Sequence, residues 1–439
     1  MTRLFGSQTQ RISWKCALLV ALLVTSSALA DTWQLQAAVE NADAVLDWNA
    51  IAVNTAIANG QNPFAQARYA AIVQLAVFEA VNAINGDYQP YLGTITAPPG
   101  ASAEAAAIEA AYDVLITYFP ASAATLNAAL SNSLASIPDG QAKTDGIGVG
   151  DAAAGAMIAL RANDGSSPPQ FKVPGPPVPG EWQATPSCPI VGVVAVGVAF
   201  QWQFVTPFGI SSASDFLLDP PPALTSNKYS KAYNEVMTVG SIDSTDRPPD
   251  RANVALFYAA SSPTLVFNQA AQQVARQKGR SLSDNARALA LINMAMSDSL
   301  VASFLNKYHY NFWRPETAIH AGDTDGNLKT EPDPNYAPFV TTPCFLSYPS
   351  NHGSAGNGAA EVLRRLYGEA GHSITLTNPA VPTIVLQYTS FKQITDDISD
   401  ARVYGGIHFR TDQIAGADLV RAVGTAVYKN NLRSIHDDN

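Results

Sequence analysis

Runs in which alanine outnumbers every other residue recur along this chain, as in Ala101–Ala111 and Ala152–Ala162. Alanine loses no side-chain entropy on entering a helix, and its small side chain lets neighbouring helices pack closely. Such runs predict a mostly helical protein. Hydrophobic residues make up 47% of the 439, and only 14% are charged. That balance implies a large buried fraction and enough chain for one large core or two moderate ones.

Breakers divide the helical runs. Helices are expected over 37–59, 65–83, 101–118, 121–135 and 139–163. Residues 164–225 are rich in Pro, Gly and Ser, and read as a long irregular excursion over the surface. Helices are expected again over 226–240, 250–260 and 268–276, then from a Ser283-Asp284 cap to about Tyr308. A turn-rich loop over 323–343 precedes helices over 357–367, 384–402 and 411–430.

The N-terminus reads as an export signal. Arg3, Arg11 and Lys15 precede the short apolar segment Cys16–Val24, and Ala28-Leu29-Ala30 suits cleavage. The expected organisation is therefore a leader over 1–30, an N-terminal helical bundle over 31–163, the excursion over 164–225, and a second helical bundle over 226–439. No later apolar run reads as a membrane span, so a secreted or periplasmic protein is expected. Removing residues 1–30 deletes three basic residues and shifts the formal charge from −10 to −13. A chain this acidic is a poor binder of nucleic acid. Any anion site must concentrate positive charge locally. In an oxidising compartment, Cys188 and Cys344 would be either a disulfide or two buried thiols.

Three segments carry chemistry. Leu289, Ile292, Met296, Leu300 and Phe304 form an apolar stripe, and Lys307 falls next on it. A charge on such a stripe either snorkels to solvent or has an anion to meet. Arg314 comes seven residues later and shares that face if the helix continues; otherwise it pairs with a carboxylate such as Asp298 or Glu316. The second segment is Tyr348-Pro349-Ser350-Asn351-His352-Gly353. It reads as a helix opening whose free amides suit an oxyanion, with a hydroxyl donor in Ser350 and a titratable group in His352. The third runs from Arg402 to Asp412. His408 and Asp412 are four apart and face together on a helix, which would fix the imidazole's tautomer. Gly405-Gly406 would allow a close backbone approach.

Taken together, Lys307 with Arg314-Pro315, then Pro349-Ser350-Asn351-His352, then Arg402 with His408 and Asp412 resemble in order and spacing the three motifs of the vanadium haloperoxidase and type 2 phosphatidic acid phosphatase superfamily. Asp47-Trp48-Asn49, the segment from Ala67-Arg68 to Asn82-Ala83, and Asn311-Phe312-Trp313 are similar to bacterial vanadium chloroperoxidase-like proteins. That resemblance implies an all-α fold of two four-helix-bundle-like halves joined by long irregular loops. It implies vanadate as cofactor, with His408 as its axial ligand oriented by Asp412. Lys307, Arg314, Ser350, the Asn351 backbone and Arg402 would bind the oxyanion, and His352 would be the acid–base. Phe345 and Phe304 would wall a halide pocket. Three positions depart from the family pattern: Asn351 stands in place of glycine, Ala401 in place of serine, and Phe304 in place of tryptophan. The last of these bears on halide preference.

The implied reaction uses hydrogen peroxide to oxidise a halide to a hypohalous species. The same cage serves a secreted acid phosphatase, in which His408 attacks a phosphate ester and His352 protonates the leaving group. A third class, a non-catalytic anion-binding protein, has no use for two such histidines.

Overall fold

The computed structural model describes residues 43–435, so the expected leader over 1–30 lies outside the described residues. The chain opens with α1 (Ala44–Ala58), α2 (Pro63–Asn85), α3 (Ala103–Tyr118), α4 (Ala123–Ala135) and α5 (Gln141–Arg161). Local chemistry sets the ends of α2. The Asn62 side chain accepts from the Ala65 amide, Pro63 occupies the first turn, and Gly86 closes the helix in the left-handed region at φ 72°.

The excursion holds a two-residue hairpin, β1 (Ile190–Val191) with β2 (Val194–Ala195), and two 3₁₀ turns. It does more than drape the surface. Trp182 and Trp202 are buried. The buried Asp298 carboxylate accepts from the amides of Phe208, Gly209 and Ile210 and so pins the excursion's end. A disulfide between Cys188 and Cys344 ties its middle to a later loop, resolving the two alternatives for these cysteines.

Then follow α6 (Asn227–Gly240), α7 (Pro249–Ala260), α8 (Pro263–Lys278) and α9 (Leu282–Tyr310), and after them the short α10 (Pro315–His320), α11 (Asn351–Tyr367), α12 (Phe391–Tyr404) and α13 (Arg410–Asn430). The 29-residue α9 is the axle of the core. It packs on α2 to one side and on α11 and α13 to the other. The N-terminal and C-terminal helices therefore share a core, which a second, aromatic cluster around Tyr229, Tyr233, Phe312, Trp313 and Phe409 extends toward the site.

Four expectations need correction. The cap of α9 is Ser281, two residues ahead of the expected Ser283. Helix α11 begins at Asn351, because Ser350 caps it, and not at residue 357. Residues 384–402 are not one helix. Leu386–Ser390 is strand β4, antiparallel to β3 (Ala370–Leu376), and only then does α12 begin. The Leu386/Tyr388 alternation and the Ser390–Gln393 capping box mark this break. Finally, α2 and α9 are each long and apolar enough to cross a membrane, contrary to the reading of no later span. The windows that qualify are 83% and 94% buried inside the protein, so core packing accounts for their apolarity.

Candidate active site

Helix α9 does not carry Lys307 and Arg314 on one continued face. It stops at Tyr310, where Asn311 adopts φ 50°, and the chain reverses so that Arg314 sits immediately before α10. The two cations converge by that reversal. Both are fully buried, with no exposed surface, so neither snorkels. Arg314 has no carboxylate partner of the kind sequence suggested. Its Nε donates to the Phe345 carbonyl at 2.6 Å, and its Nη1 lies 2.9 Å from the Ile407 carbonyl oxygen and 2.9 Å from His408 Nε2.

Lys307 uses all three of its N–H groups on backbone carbonyls, those of Leu346, Ser347 and Pro349. All three donors expected to face an oxyanion are thus committed to the backbone. Lys307 rivets the loop ahead of α11 and contributes charge from behind. Phe345 lies under both cations, its ring centroid 5.3 Å from Lys307 Nζ and 4.9 Å from Arg314 Cζ.

The loop that Lys307 holds leads into α11. Ser350 caps that helix by accepting from Gly353, and keeps its own hydroxyl proton to donate. Asn351 and His352 are the first two residues of the helix, where backbone amides have no intrahelical acceptor. The Asn351 side chain faces the other way and accepts from Ser303 at 2.7 Å. The backbone contact expected of Asn351 is thus compatible with asparagine. His352 is half-buried. It lies beside the Ser261 backbone and borders a cavity of about 500 Å³.

Arg402, near the end of α12, borders the same cavity. Its Nη1 donates to the Tyr258 carbonyl at 3.4 Å. The chain then turns through Gly405 and Gly406. Gly406 is left-handed at φ 81°, and a Cβ there would stand 2.3 Å from the Gly240 carbonyl oxygen, so the close backbone approach is real. His408 lies just outside α13, and its pairing with Asp412 is a cap contact and not a shared helix face. Asp412 Oδ2 takes the Phe409 amide at 3.2 Å and His408 Nδ1 at 2.9 Å. Ser347, which no sequence feature singled out, donates to the same oxygen at 2.6 Å. With Nδ1 as donor, the lone pair of Nε2 points toward the Arg314 guanidinium.

The cage is electrostatically unfinished. Burial, then Asp412 and Arg402, set Arg314, which is pushed down to about 9. Burial brings Arg402 to about 10 and holds Lys307 well below the ordinary lysine range. Both histidines are lowered well below the usual imidazole range, by burial first and by the neighbouring cations next. Burial raises Asp412 to about 6. Arg314 Nη2 and Arg402 Nε are buried donors with no partner among the described residues. Unanswered donors around mutually repelling cations fit a tetrahedral oxyanion.

The halide-pocket residues separate. Phe345 borders the 500 Å³ cavity with Phe64, Leu256, Leu300 and Phe339. Phe304 is fully buried and not part of that wall; it meets Phe345 edge-on from behind, with ring centroids 5.6 Å apart.

Residues 287–437 match the VCPO second helical-bundle domain. Over this stretch the chain is similar to vanadium haloperoxidases. Vanadium chloroperoxidase of Curvularia inaequalis is 24% identical over 279 residues, and the match spans 48% of this chain and 45% of that protein. The vanadium-haloperoxidase-like fold extends further than that sequence match. The structure of a bacterial vanadium-dependent iodoperoxidase superposes with a TM-score of 0.74 at 24% identity, covering 91% of this chain and 98% of the other. An apo bacterial vanadium-dependent chloroperoxidase gives 0.69 at 15% identity, covering 84% and 93%.

Proposed function

We propose that this protein is an exported vanadate-dependent haloperoxidase that uses hydrogen peroxide to oxidise a halide to a hypohalous species. The pair of unanswered buried donors, Arg314 Nη2 and Arg402 Nε, beside a histidine whose Nδ1 is committed to Asp412, carries this reading. Export is supported by the Cys188–Cys344 disulfide, since such bonds persist in oxidising compartments.

Arg314, Arg402, the Ser350 hydroxyl and the opening amides of α11 would hold vanadate, with His408 Nε2 as its protein ligand. When bound, vanadate supplies the Lewis acidity that activates peroxide toward a halide. The residues do the rest. Arg314 and Arg402 neutralise the oxyanion. Asp412 and Ser347 fix the His408 ring. Lys307 holds the carbonyl loop still and adds positive charge. His352, at the cavity wall, moves protons, and its depressed affinity keeps it an acceptor near neutral pH.

The phosphatase reading rests on the same His408–Asp412 pair, which suits a nucleophile as well as a ligand. One experiment separates the two. Purified protein is assayed with and without orthovanadate for peroxide-dependent bromide and iodide oxidation, and in parallel for phosphate-ester hydrolysis. Vanadate-dependent halide oxidation is expected. Ester hydrolysis that vanadate inhibits, with no halide oxidation, would overturn the haloperoxidase reading.

A further inference from the structure

A second concentration of positive charge lies away from the cage, where the start of α9 meets the ends of α11 and α13. It is a surface cleft of about 850 Å³. Arg280, Arg287, Arg365, Lys429 and Arg433 line it, and Asp284 is the one acidic side chain among its lining residues. On a chain with a formal charge of −10, such a patch needs an explanation.

Helix-end stabilisation explains part of it. Cations favour helix C-termini, and each terminus counts for roughly half a negative charge. The two C-termini here, those of α11 and α13, therefore answer about one cation. Asp284 answers another, and Glu361 answers Arg365 at 2.7 Å. Among the described residues a surplus of about two positive charges remains. Among the described residues, no carboxylate forms an ion pair with Arg280, Arg287, Lys429 or Arg433.

The cleft is also organised. Arg287 lies between two phenol rings, 5.0 Å from Tyr88 and 5.4 Å from Tyr428, and Arg365 lies 5.5 Å from Tyr428 on its own account. Tyr88 is itself fixed by a 2.5 Å hydrogen bond to Asp284. The Arg287 Nε donates to the Leu432 carbonyl at 2.6 Å. Held this way, the guanidinium keeps its terminal N–H groups for something else. Stacking on aromatic rings orients an arginine without neutralising it. Arg433 Nε donates to the Gln89 side chain at 3.1 Å, and Lys429 is exposed at the rim.

We propose that this cleft is a second anion site, separate from the buried cage, that takes a small, multiply charged oxyanion of the phosphate or sulfate class. A surplus of about two charges selects a dianion or higher. The fork geometry of the Arg287 guanidinium suits paired oxygens. The cleft has no histidine among its lining residues, and the proposed role is binding alone.

The test is calorimetric titration with pyrophosphate as probe, on three full-length proteins: wild type, a cleft variant with R280Q, K429Q and R433Q, and a cage variant with R402A. The three cleft positions are exposed, so the variant is expected to fold, and its thermal unfolding is measured alongside. Pyrophosphate binding is expected in wild type and in R402A, with at least a tenfold loss in the cleft variant. No binding to wild type overturns the proposal, as does binding that R402A abolishes and the cleft variant leaves intact. The outcome is independent of whether the cage works as a haloperoxidase or as a phosphatase.

Discussion

The buried cage and the surface cleft meet the same demand, positive charge on an acidic protein, in opposite ways. In the cleft, water and aromatic faces keep the guanidinium groups comfortable, and Arg287 carries its charge between two phenols. In the cage the side chains are buried, every cation is pushed toward giving up its proton, and two donors have no partner among the described residues. The cleft can rest empty at little cost. On the proposed reading, an anion completes the cage. Binding energy held in reserve this way distinguishes a site built to stabilise charge from one built to recognise it.

The comparison breaks most visibly at His408. Replacing it with alanine removes the imidazole nitrogen that lies 2.9 Å from Arg314, so turnover is expected to fall to background, whether measured as halide oxidation or ester hydrolysis. Pyrophosphate binding in the cleft should not change. Normal turnover in His408→Ala would dismiss the role given to it.

His352→Ala should do less. Proton transfer of this kind contributes ~10²–10⁴-fold in rate. Turnover should drop by that range while orthovanadate still binds, measured by steady-state kinetics and calorimetry on the same sample. Loss of binding together with rate would make His352 a ligand-holding residue instead.

Titration sharpens the contrast further. His352 is depressed by burial and by cations, so an arriving anion raises it and draws a proton in. Affinity of the cage for a tetrahedral anion should therefore rise as pH falls, by up to about tenfold per pH unit for each proton taken up. Sulfate is the suitable probe, because its own charge stays constant over this range. An affinity flat in pH between about 6 and about 8 would show that anion binding takes up no proton and would overturn this expectation.

The smallest effect is expected across the two regions. The R280Q, K429Q and R433Q variant should change cage turnover by less than about twofold, as independent distant sites do. A larger change would mean that the cleft and the cage are coupled.

Much of this was legible in the sequence because side-chain chemistry and spacing carried it. Lys307 was visible as a charge on an apolar stripe, Ser350 and His352 as a helix opening, and His408 by its spacing to Asp412, while Arg314 and Arg402 took their roles from the family resemblance. The alanine runs announced the helices. What sequence missed were features set by chain reversal. The α9 stop at Asn311 depends on one left-handed residue, and the strand before α12 on a short alternation inside a longer helix-like stretch. Ser347 could not be found because a lone serine in a loop has no pattern; its role exists only once Asp412 is brought 2.6 Å away. Phe304 was misplaced for a related reason, since helical spacing says which face a ring occupies but not whether another ring stands in front of it.

The Cys188–Cys344 bond gives the cage a dependence on its compartment. Cys344 lies one residue before Phe345 and two before Leu346, whose carbonyls hold Arg314 and Lys307. The bond closes a span of 156 residues, which restricts the unfolded chain by on the order of 5 kcal/mol. It also clamps the floor on which the cations rest. A cell that keeps thiols reduced would make the same helices around a floor free to drift. Protein recovered from such a cell would lack that clamp, and its free-thiol content should be counted before its activity is judged.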